Sequence, residues 1–211
     1  MAAFADRTDA GRALGRALAE LDLHRPLLVG LARGGVPVAA AAAEALGDGA
    51  EVDVGVARKI TALERPEAGL GAVAVDGEPV WFDLALQNAG LSPGALDDLV
   101  AAERTEAARR EEAYGSGWRG RVAGRDVVLV DDGVATGMTA RAGLGALAAG
   151  GPSSLVLGVP VAAPPALERL ADDGAAPVVA VLVPPDFRAV GDVYDDFGQL
   201  TDDDVLRVLG R

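Results

Sequence analysis

Hydrophobic and polar positions follow two different periods along the chain, and together they predict a repeated succession of strands and helices. Continuous apolar runs, which are typical of strands buried on both faces, occupy 26–31, 52–57, 72–75, 126–130, 155–159 and 178–183. Apolar residues at helical spacing occupy 7–20, 38–46, 96–113, 138–149, 165–172 and the stretch that follows Thr201. Because strands alternate with helices, we expect an α/β fold in which helices flank a central parallel sheet.

The region from about residue 60 to 120 interrupts this alternation. Ser92 and Pro93 form a typical helix start, and the helix that follows carries alternating acids and arginines, so we expect it to be mostly solvated. The chain length fits one large domain over residues 1–211. We therefore expect the 60–120 region to be an insertion within that single domain.

The composition narrows the chemistry that the chain can perform. The 211 residues include no cysteine, which excludes disulfides, thiolate metal sites and a cysteine nucleophile. His24 is the sole histidine, so neither a histidine zinc cluster nor a serine hydrolase triad elsewhere in the chain can form.

Charge and hydropathy argue against nucleic acid and membrane partners. The formal net charge is −13 and the sequence pI is near 4.4, opposite to what a phosphate-backbone binder needs. No apolar stretch reaches about 18 residues without charges or glycines, and the N-terminus lacks the apolar core of a signal peptide. We therefore expect a cytoplasmic protein, in which a few clustered arginines and Lys59, the only lysine, permit a local anion site.

One segment combines the features that a sugar phosphate requires. An apolar strand ends at Asp131 and Asp132, and a loop of glycine and threonine then leads into a helix. Strand ends of parallel sheets form ligand crevices, and a helix start offers unpaired N–H groups to a phosphate. The carboxylates would repel a phosphate but suit ribose hydroxyls or a hydrated divalent ion. The residues predicted to hold the 5-phosphate are Gly133, Val134, Ala135, Thr136, Gly137 and Thr139.

The order apolar strand, Asp-Asp-Gly, two residues, Thr-Gly, one residue, Thr resembles the signature of type I phosphoribosyltransferases that binds 5-phosphoribosyl 1-diphosphate (PRPP). The resemblance implies a Rossmann-like core with a hood, which the flexible loop and helices of the inserted region from about 60 to 120 would form. It also implies that Asp131 and Asp132 are catalytic residues at the ribose. Further segments fall where this family has its other loops, so the resemblance spans most of the chain. A surface turn rich in aspartate and glycine is the alternative.

The resemblance assigns two more segments to the pyrophosphate end of PRPP. In this family the loop after the first core strand contacts pyrophosphate, and here that loop contains Arg33, Gly34 and Gly35. Arg58 and Lys59 lie in a stretch that is similar to a bacterial subgroup of phosphoribosyltransferase-like proteins, and they would face the pyrophosphate as catalytic cations. An ordinary turn and a solvated basic strand end are the alternatives.

The segment 184–191 is similar to the loop that holds the base in hypoxanthine-guanine phosphoribosyltransferases. It provides Phe187 and Val190, and Asp195 follows, as candidate contacts of the acceptor. Phe187 would stack on an aromatic acceptor, although Arg188 falls at the stacking position when the valine-glycine pair is matched. The alternative is that the aromatic residues of this region belong to the core.

The implied reaction displaces pyrophosphate from C1 of PRPP by a nitrogen nucleophile, such as a purine or pyrimidine base. Mg²⁺ would be held mostly by the substrate and water, with Asp131 and Asp132 contacting it only through water. Arg33, Arg58 and Lys59 would offset the charge of the leaving group, while the hood excludes water. The expected partners are thus PRPP and an unidentified acceptor, and a homodimer is left open.

Two other functions fit the same residues. The chain could be a catalytically silent regulator that binds PRPP or a nucleotide and acts through a protein partner. It could also be a phosphatase or nucleotide hydrolase that uses Asp131 and Asp132 on a metal. Three arginines of the long helix, Arg104, Arg109 and Arg110, would either face the site or pair with acids of their own helix.

Overall fold

The computed structural model describes residues 2–47, 49–62, 65–172, 174 and 176–211. Its strands are β1 (Leu27–Leu31), β2 (Glu51–Gly55), β3 (Ala57–Ala62), β4 (Arg65–Ala74), β5 (Val80–Trp81), β6 (Asp126–Val130), β7 (Ser154–Val161) and β8 (Val178–Leu182). Its helices are α1 (Arg7–Leu18), α2 (Gly35–Leu46), α3 (Asp83–Ala89), α4 (Asp97–Ala113), α5 (Met138–Ala148), α6 (Pro164–Asp172) and α7 (Asp202–Leu209). Across these described ranges, no helix combines the length and the apolar character needed to cross a bilayer.

The central sheet has five parallel strands in the order β2-β1-β6-β7-β8, which confirms the predicted α/β fold. Its strands read as continuous apolar runs because helices cover both faces. Leu28 and Val128 pack in a cluster with α1 and α2, whereas Leu27 and Leu129 pack on the other side in a cluster that includes α5 and α6. Every residue of β1 is consequently buried.

The pairing of β1 with β6 brings two loops together at the carboxyl edge of this sheet. Gly30 lies opposite Val130 in the parallel register, so both strands end at the same level. The loop that follows β1 therefore lies beside the loop that follows β6. This is the edge at which parallel sheets form ligand crevices.

A second sheet, with the antiparallel order β3-β4-β5, occupies the region between β2 and β6. The predicted strand 52–57 was wrong at its end, because β2 stops at Gly55 and Arg58 and Lys59 lie inside β3. The predicted strand 72–75 is the end of the ten-residue β4, which is antiparallel. These strands have apolar stretches because residues such as Ile60 and Leu70 pack against α3 and α4.

Helix α4 lies over this second sheet and differs from its prediction in two respects. It begins at Asp97, after a short 3₁₀ turn, and Ser92 makes no side-chain capping hydrogen bond. Its inner face buries Val100, Ala107 and Glu111, so the helix is less solvated than its charge pattern predicts. Residues 63 and 64 of the predicted hood lie outside the described residues.

Candidate functional site

The loop between β6 and α5 brings two carboxylates and several free backbone donors to the carboxyl edge of the central sheet. Asp131 Oδ1 accepts the N–H of Asp132 at 2.9 Å. Gly137 has a φ of +83°, a left-handed conformation that favours glycine, at the start of α5. In the described part of the chain, the N–H groups of Ala135, Thr136 and Gly137 donate no hydrogen bond. Such unpaired N–H groups at a helix start suit a phosphate.

Val134 has a different position in the same loop. Its N–H donates to the carbonyl of Val161 at 2.9 Å, and its carbonyl accepts the N–H of Ala163 at 2.8 Å. Its side chain is buried. Val134 thus anchors the loop to β7 and α6, while its neighbours Ala135 and Thr136 are exposed.

Two glycines let the loop after β1 contact the adjacent carboxylates Asp131 and Asp132, here called the diacid. A Cβ on Gly34 would overlap the Asp132 carboxylate, and a Cβ on Gly35 would overlap the carbonyl oxygen of Val130. In the same loop, the peptide bond between Ala32 and Arg33 is cis. The predicted pyrophosphate loop therefore contacts the diacid directly, because Gly34 and Gly35 have no side chains to hold the two loops apart.

Arg7, which sequence reasoning missed, binds one carboxylate of the diacid. Its Nε donates to Asp132 Oδ2 at 2.8 Å, its Nη1 donates to the Gly198 carbonyl at 3.0 Å, and its guanidinium lies 3.9 Å from the Phe197 ring centroid. The side chain is only 12% exposed. An arginine at the start of an amphipathic helix is normally solvated, so the sequence carries no signal for this contact.

The two carboxylates of the diacid are difficult to ionise together. Burial raises the pKa of Asp131 well above its ordinary value, and the charge of Asp132 adds to this rise. The N–H of Asp132 and the charges of Lys59 and Arg7 oppose it. Burial also raises the pKa of Asp132, although the hydrogen bond from Arg7 lowers it. A ligand that donates hydrogen bonds or brings positive charge would relieve this cost.

A cleft of about 400 Å³ adjoins the diacid on the side of the second sheet. Elements that are distant in sequence contribute its lining, which comprises Ala32, Val56, Ala57, Arg58, Lys59, Thr61, Glu103, Arg110 and Thr139. Arg58 Nε donates to Glu103 Oε2 at 2.7 Å, which links β3 to α4.

A larger cleft of about 580 Å³ lies at the opposite edge of the sheet, around His24 and Arg125, and it contains none of the predicted site residues.

The three arginines of α4 have three different environments. Arg104 donates to the carbonyls of Val75 and Gly77, both at 2.9 Å. Arg109 and Arg110 both pair with Glu106 at 2.7 Å, but only Arg110 lines the cleft. Of the two alternatives considered from the sequence, pairing within the helix thus applies to both, and facing the cleft applies to Arg110 alone.

Arg33 lies near the start of α7. Its Nη1 is 3.6 Å from Asp202 Oδ1, and the same carboxylate oxygen accepts the Tyr114 hydroxyl at 2.6 Å. Burial and this hydrogen bond raise the pKa of Tyr114 to about 12, so the phenol is neutral at physiological pH. The C-terminal helix consequently positions the cation of the predicted pyrophosphate loop.

The predicted acceptor segment lies beside the diacid loop at one point. A Cβ on Gly133 would overlap the side chain of Val190, so these two residues are in close contact. Phe187 packs against the main core cluster, which fits the alternative that it is a core aromatic. The backbone N–H of Asp195 donates to the carbonyl of Phe4 at 2.9 Å, and its side chain is exposed.

An aromatic cluster, Phe4, Tyr194 and Phe197, connects this segment to Asp132. The Tyr194 and Phe197 rings stack with centroids 4.8 Å apart, and the Tyr194 hydroxyl donates to the Asp132 carbonyl at 2.6 Å. Burial raises the pKa of Tyr194, and the charge of Asp132 adds to the rise. The cluster therefore supports the diacid loop through the backbone of Asp132.

Sequence comparisons relate the chain to one family. A model of the phosphoribosyl transferase domain matches residues 6–181. Two relatives from Mycobacterium tuberculosis, strains CDC 1551 / Oshkosh and H37Rv, carry provisional names as phosphoribosyl transferases, and each is 39% identical over 213 residues. These alignments cover 100% of this chain and 47% of each relative. The chain thus spans about half the length of the curated relatives it matches.

Structure comparisons point to a close and a distant similarity. The protein TT1426 from Thermus thermophilus is 45% identical with a TM-score of 0.77, covering 98% of this chain and 97% of that one. The protein AQ2163 from Aquifex aeolicus is 13% identical with a TM-score of 0.51, covering 82% of this chain and 71% of that one. The second similarity is one of fold alone.

Proposed function

Because the chain belongs to the phosphoribosyl transferase domain family, as its diacid motif predicted, we propose that it transfers the 5-phosphoribosyl group of PRPP to a nitrogen acceptor and releases pyrophosphate. One observation carries this proposal. The diacid directly precedes the 135–137 loop, whose N–H groups are free in the described residues. It also contacts the loop after β1, whose Ala32 lines a cleft with three cations, Arg58, Lys59 and Arg110. A chain of net charge −13 thus concentrates donors and cations where an anionic sugar would bind.

The loop from Gly133 to Thr139 would hold the 5-phosphate. Its free N–H groups and the positive end of α5 attract an anion, and the hydroxyls of Thr136 and Thr139 can donate further hydrogen bonds. Asp131 would accept hydrogen bonds from the ribose hydroxyls. This role suits Asp131 because a donor from the sugar compensates the burial that raises its pKa.

Mg²⁺ fits this site as an ion bound mainly by the substrate. Among the described residues, the Asp131 carboxylate accepts one hydrogen bond, so it retains lone pairs for a hydrated ion, whereas Asp132 is engaged by Arg7. When bound with PRPP, Mg²⁺ would neutralise charge on the pyrophosphate. Arg33, Arg58 and Lys59 would stabilise the same group from the protein side.

The chemical step requires little covalent participation by the protein. The bond from C1 to the pyrophosphate oxygen breaks and its electron pair leaves with pyrophosphate. The acceptor nitrogen forms the new bond to C1 and loses a proton. The contribution of this chain is to orient the sugar between Asp131 and the phosphate loop, and to hold cations at the leaving group.

Calorimetric titration of PRPP with Mg²⁺ tests this proposal. The wild type is expected to bind, and the Asp131→Asn, Asp132→Asn double variant is expected to lose binding by about a hundredfold or more, because it loses the charged acceptors for the ribose. Asp97 and Asp98 are an adjacent exposed pair at the start of α4, so Asp97→Asn, Asp98→Asn is a control with the same charge change. No binding by the wild type, or equal binding by both double variants, contradicts the proposal.

An acceptor screen then separates transfer from binding alone. Pyrophosphate release that depends on both PRPP and a nitrogenous acceptor supports the transferase, and Val190, Phe187 and Asp195 are the residues to vary for acceptor preference. PRPP binding without turnover on any base would favour the regulator instead. Phosphate release without an acceptor would favour a hydrolase.

A further inference from the structure

Helix α4 forms a wall of the cleft that the proposed function assigns to pyrophosphate. The cleft receives Arg58 and Lys59 from β3, Ala32 from the loop after β1 and Thr139 from α5. Helix α4 contributes Arg110 and also Glu103, whose carboxylate accepts Arg58 Nε at 2.7 Å. Three cations from two elements about fifty positions apart therefore converge on one cleft in an acidic protein.

The charge of Arg110 is only partly neutralised by its own helix. Glu106 Oε1 accepts Arg110 Nε at 2.7 Å, and the same carboxylate accepts two hydrogen bonds from Arg109. These bonds from Arg109 and Arg110 lower the pKa of Glu106 to about 2, so Glu106 is ionised at neutral pH. Two arginines share one carboxylate, and the trio keeps one positive charge.

Arg109 and Arg110 differ in their exposure and in whether they line the cleft. The Arg109 side chain is 61% exposed and does not line the cleft, whereas the Arg110 side chain is 27% exposed and does. Arg110 lines the same cleft as Ala32, the residue that precedes Arg33 in the predicted pyrophosphate loop.

We propose that Arg110 is a further diphosphate-binding residue, which contacts the pyrophosphate group of PRPP from α4, opposite Arg58 and Lys59. This inference rests on the proposed function. A planar guanidinium with several N–H donors suits a group rich in phosphate oxygens, and only its Nε is used by Glu106 in the described residues. Helix α4 thereby becomes part of the binding site.

Calorimetric titrations with sodium pyrophosphate plus Mg²⁺, and separately with ribose 5-phosphate, test this inference. Arg110→Gln is expected to weaken pyrophosphate binding about tenfold or more, because a charge-assisted contact is lost. Its binding of ribose 5-phosphate is expected to stay within about twofold of wild type, because the phosphate loop holds that ligand. The matched control Arg109→Gln, which removes the other partner of Glu106, is expected to change neither affinity by more than about twofold.

Each outcome separates the inference from the function on which it rests. Equal pyrophosphate affinity of Arg110→Gln and Arg109→Gln overturns the inference, as does an equal loss of ribose 5-phosphate binding in folded Arg110→Gln, since Arg110 would then not act on the pyrophosphate end in particular. Binding of neither ligand by the wild type overturns the proposed function itself. If Arg110→Gln does not fold, Arg110→Lys replaces it, because it keeps the charge but loses the planar donors, and intermediate pyrophosphate affinity is then expected.

Discussion

Two aspartates, Asp53 in β2 and the half-buried Asp131 after β6, have carboxylates that accept very different numbers of hydrogen bonds. Asp53 is fully buried and accepts the N–H groups of Val54 at 2.9 Å and Gly117 at 3.0 Å. It also pairs with Arg121 and with Arg211, the latter at 3.3 Å. In the described residues, Asp131 accepts only the N–H of Asp132.

The difference fits a structural role for Asp53 and the proposed ligand-binding role for Asp131. A buried carboxylate is tolerated when donors surround it, as at Asp53, where the pairing also ties the C-terminal residue to β2. At Asp131, burial and the charge of Asp132 raise the pKa, and the single N–H that the carboxylate accepts in the described residues opposes this rise without offsetting it. Sites that bind ligands often retain polar groups at a cost to stability, because the ligand supplies the missing partners.

The largest effect is expected at the structural acid. Asp53→Ala should lower the free energy of unfolding by about 3 kcal/mol, because it leaves two arginines and two N–H groups without their acceptor. Urea denaturation measures this change. Glu51→Ala is the control on the same strand, since Glu51 is 37% exposed and its pairs with Arg121 and Arg125 should contribute less than about 1 kcal/mol. Equal losses in the two variants would remove the distinction between Asp53 and an ordinary surface acid.

An intermediate effect is expected at Arg7, which is the one cation that forms an ion pair with Asp132 in the described residues. Arg7→Ala should lower the free energy of unfolding by about 2 kcal/mol, because it removes the ion pair with Asp132 and the contact with Phe197. The exposed Arg12 on the same helix is the control, and Arg12→Ala should change the value by less than about 0.5 kcal/mol. If Arg7→Ala is as stable as Arg12→Ala, Arg7 does not hold the diacid loop.

The smallest effect, of opposite sign, is expected at Asp131. Without PRPP or Mg²⁺, Asp131→Asn should raise the free energy of unfolding at pH 7, because it removes a carboxylate whose ionised form is disfavoured by burial and by the charge of Asp132. The side-chain oxygen of asparagine can still accept the Asp132 N–H. The folded-state pKa of Asp131 is raised above its ordinary 3.8, so wild type loses stability as pH rises from that value. The advantage of the variant should therefore vanish near pH 3.8.

Asp126, at the other end of β6, provides the matched comparison for this pH series. Hydrogen bonds from the Ser154 hydroxyl and the His24 N–H lower the pKa of Asp126. Its stabilising contribution is present above its ordinary pKa of 3.8 and is lost as pH falls through the lowered folded value. Asp126→Asn should therefore be less stable than wild type at pH 7. Thermal unfolding between pH 4 and pH 8 that shows the same sign for both variants would contradict this account.

The diacid loop could be predicted from sequence because all of its parts are contiguous. Strand β6, the carboxylates Asp131 and Asp132, the glycines and the start of α5 follow one another, and each has a local physical signature. The roles of Arg33, Arg58 and Lys59 remain predictions. The boundary between β2 and β3 was predicted wrongly, since an apolar run does not reveal that the chain leaves one sheet for another at Val56.

Local periodicity and one contiguous motif were enough to establish the α/β class, the central parallel strands and the family, because each of these is encoded within short stretches of chain. Three contacts became apparent only in the folded domain: Arg7 binds Asp132, Arg110 and not Arg109 lines the cleft, and Asp53 is a structural acid. The physical reason is that these contacts join residues far apart in the chain, or depend on how one helix is rotated against a sheet. Charge alternation along a helix is the same whichever face is turned inward, and packing of the whole domain selects that face.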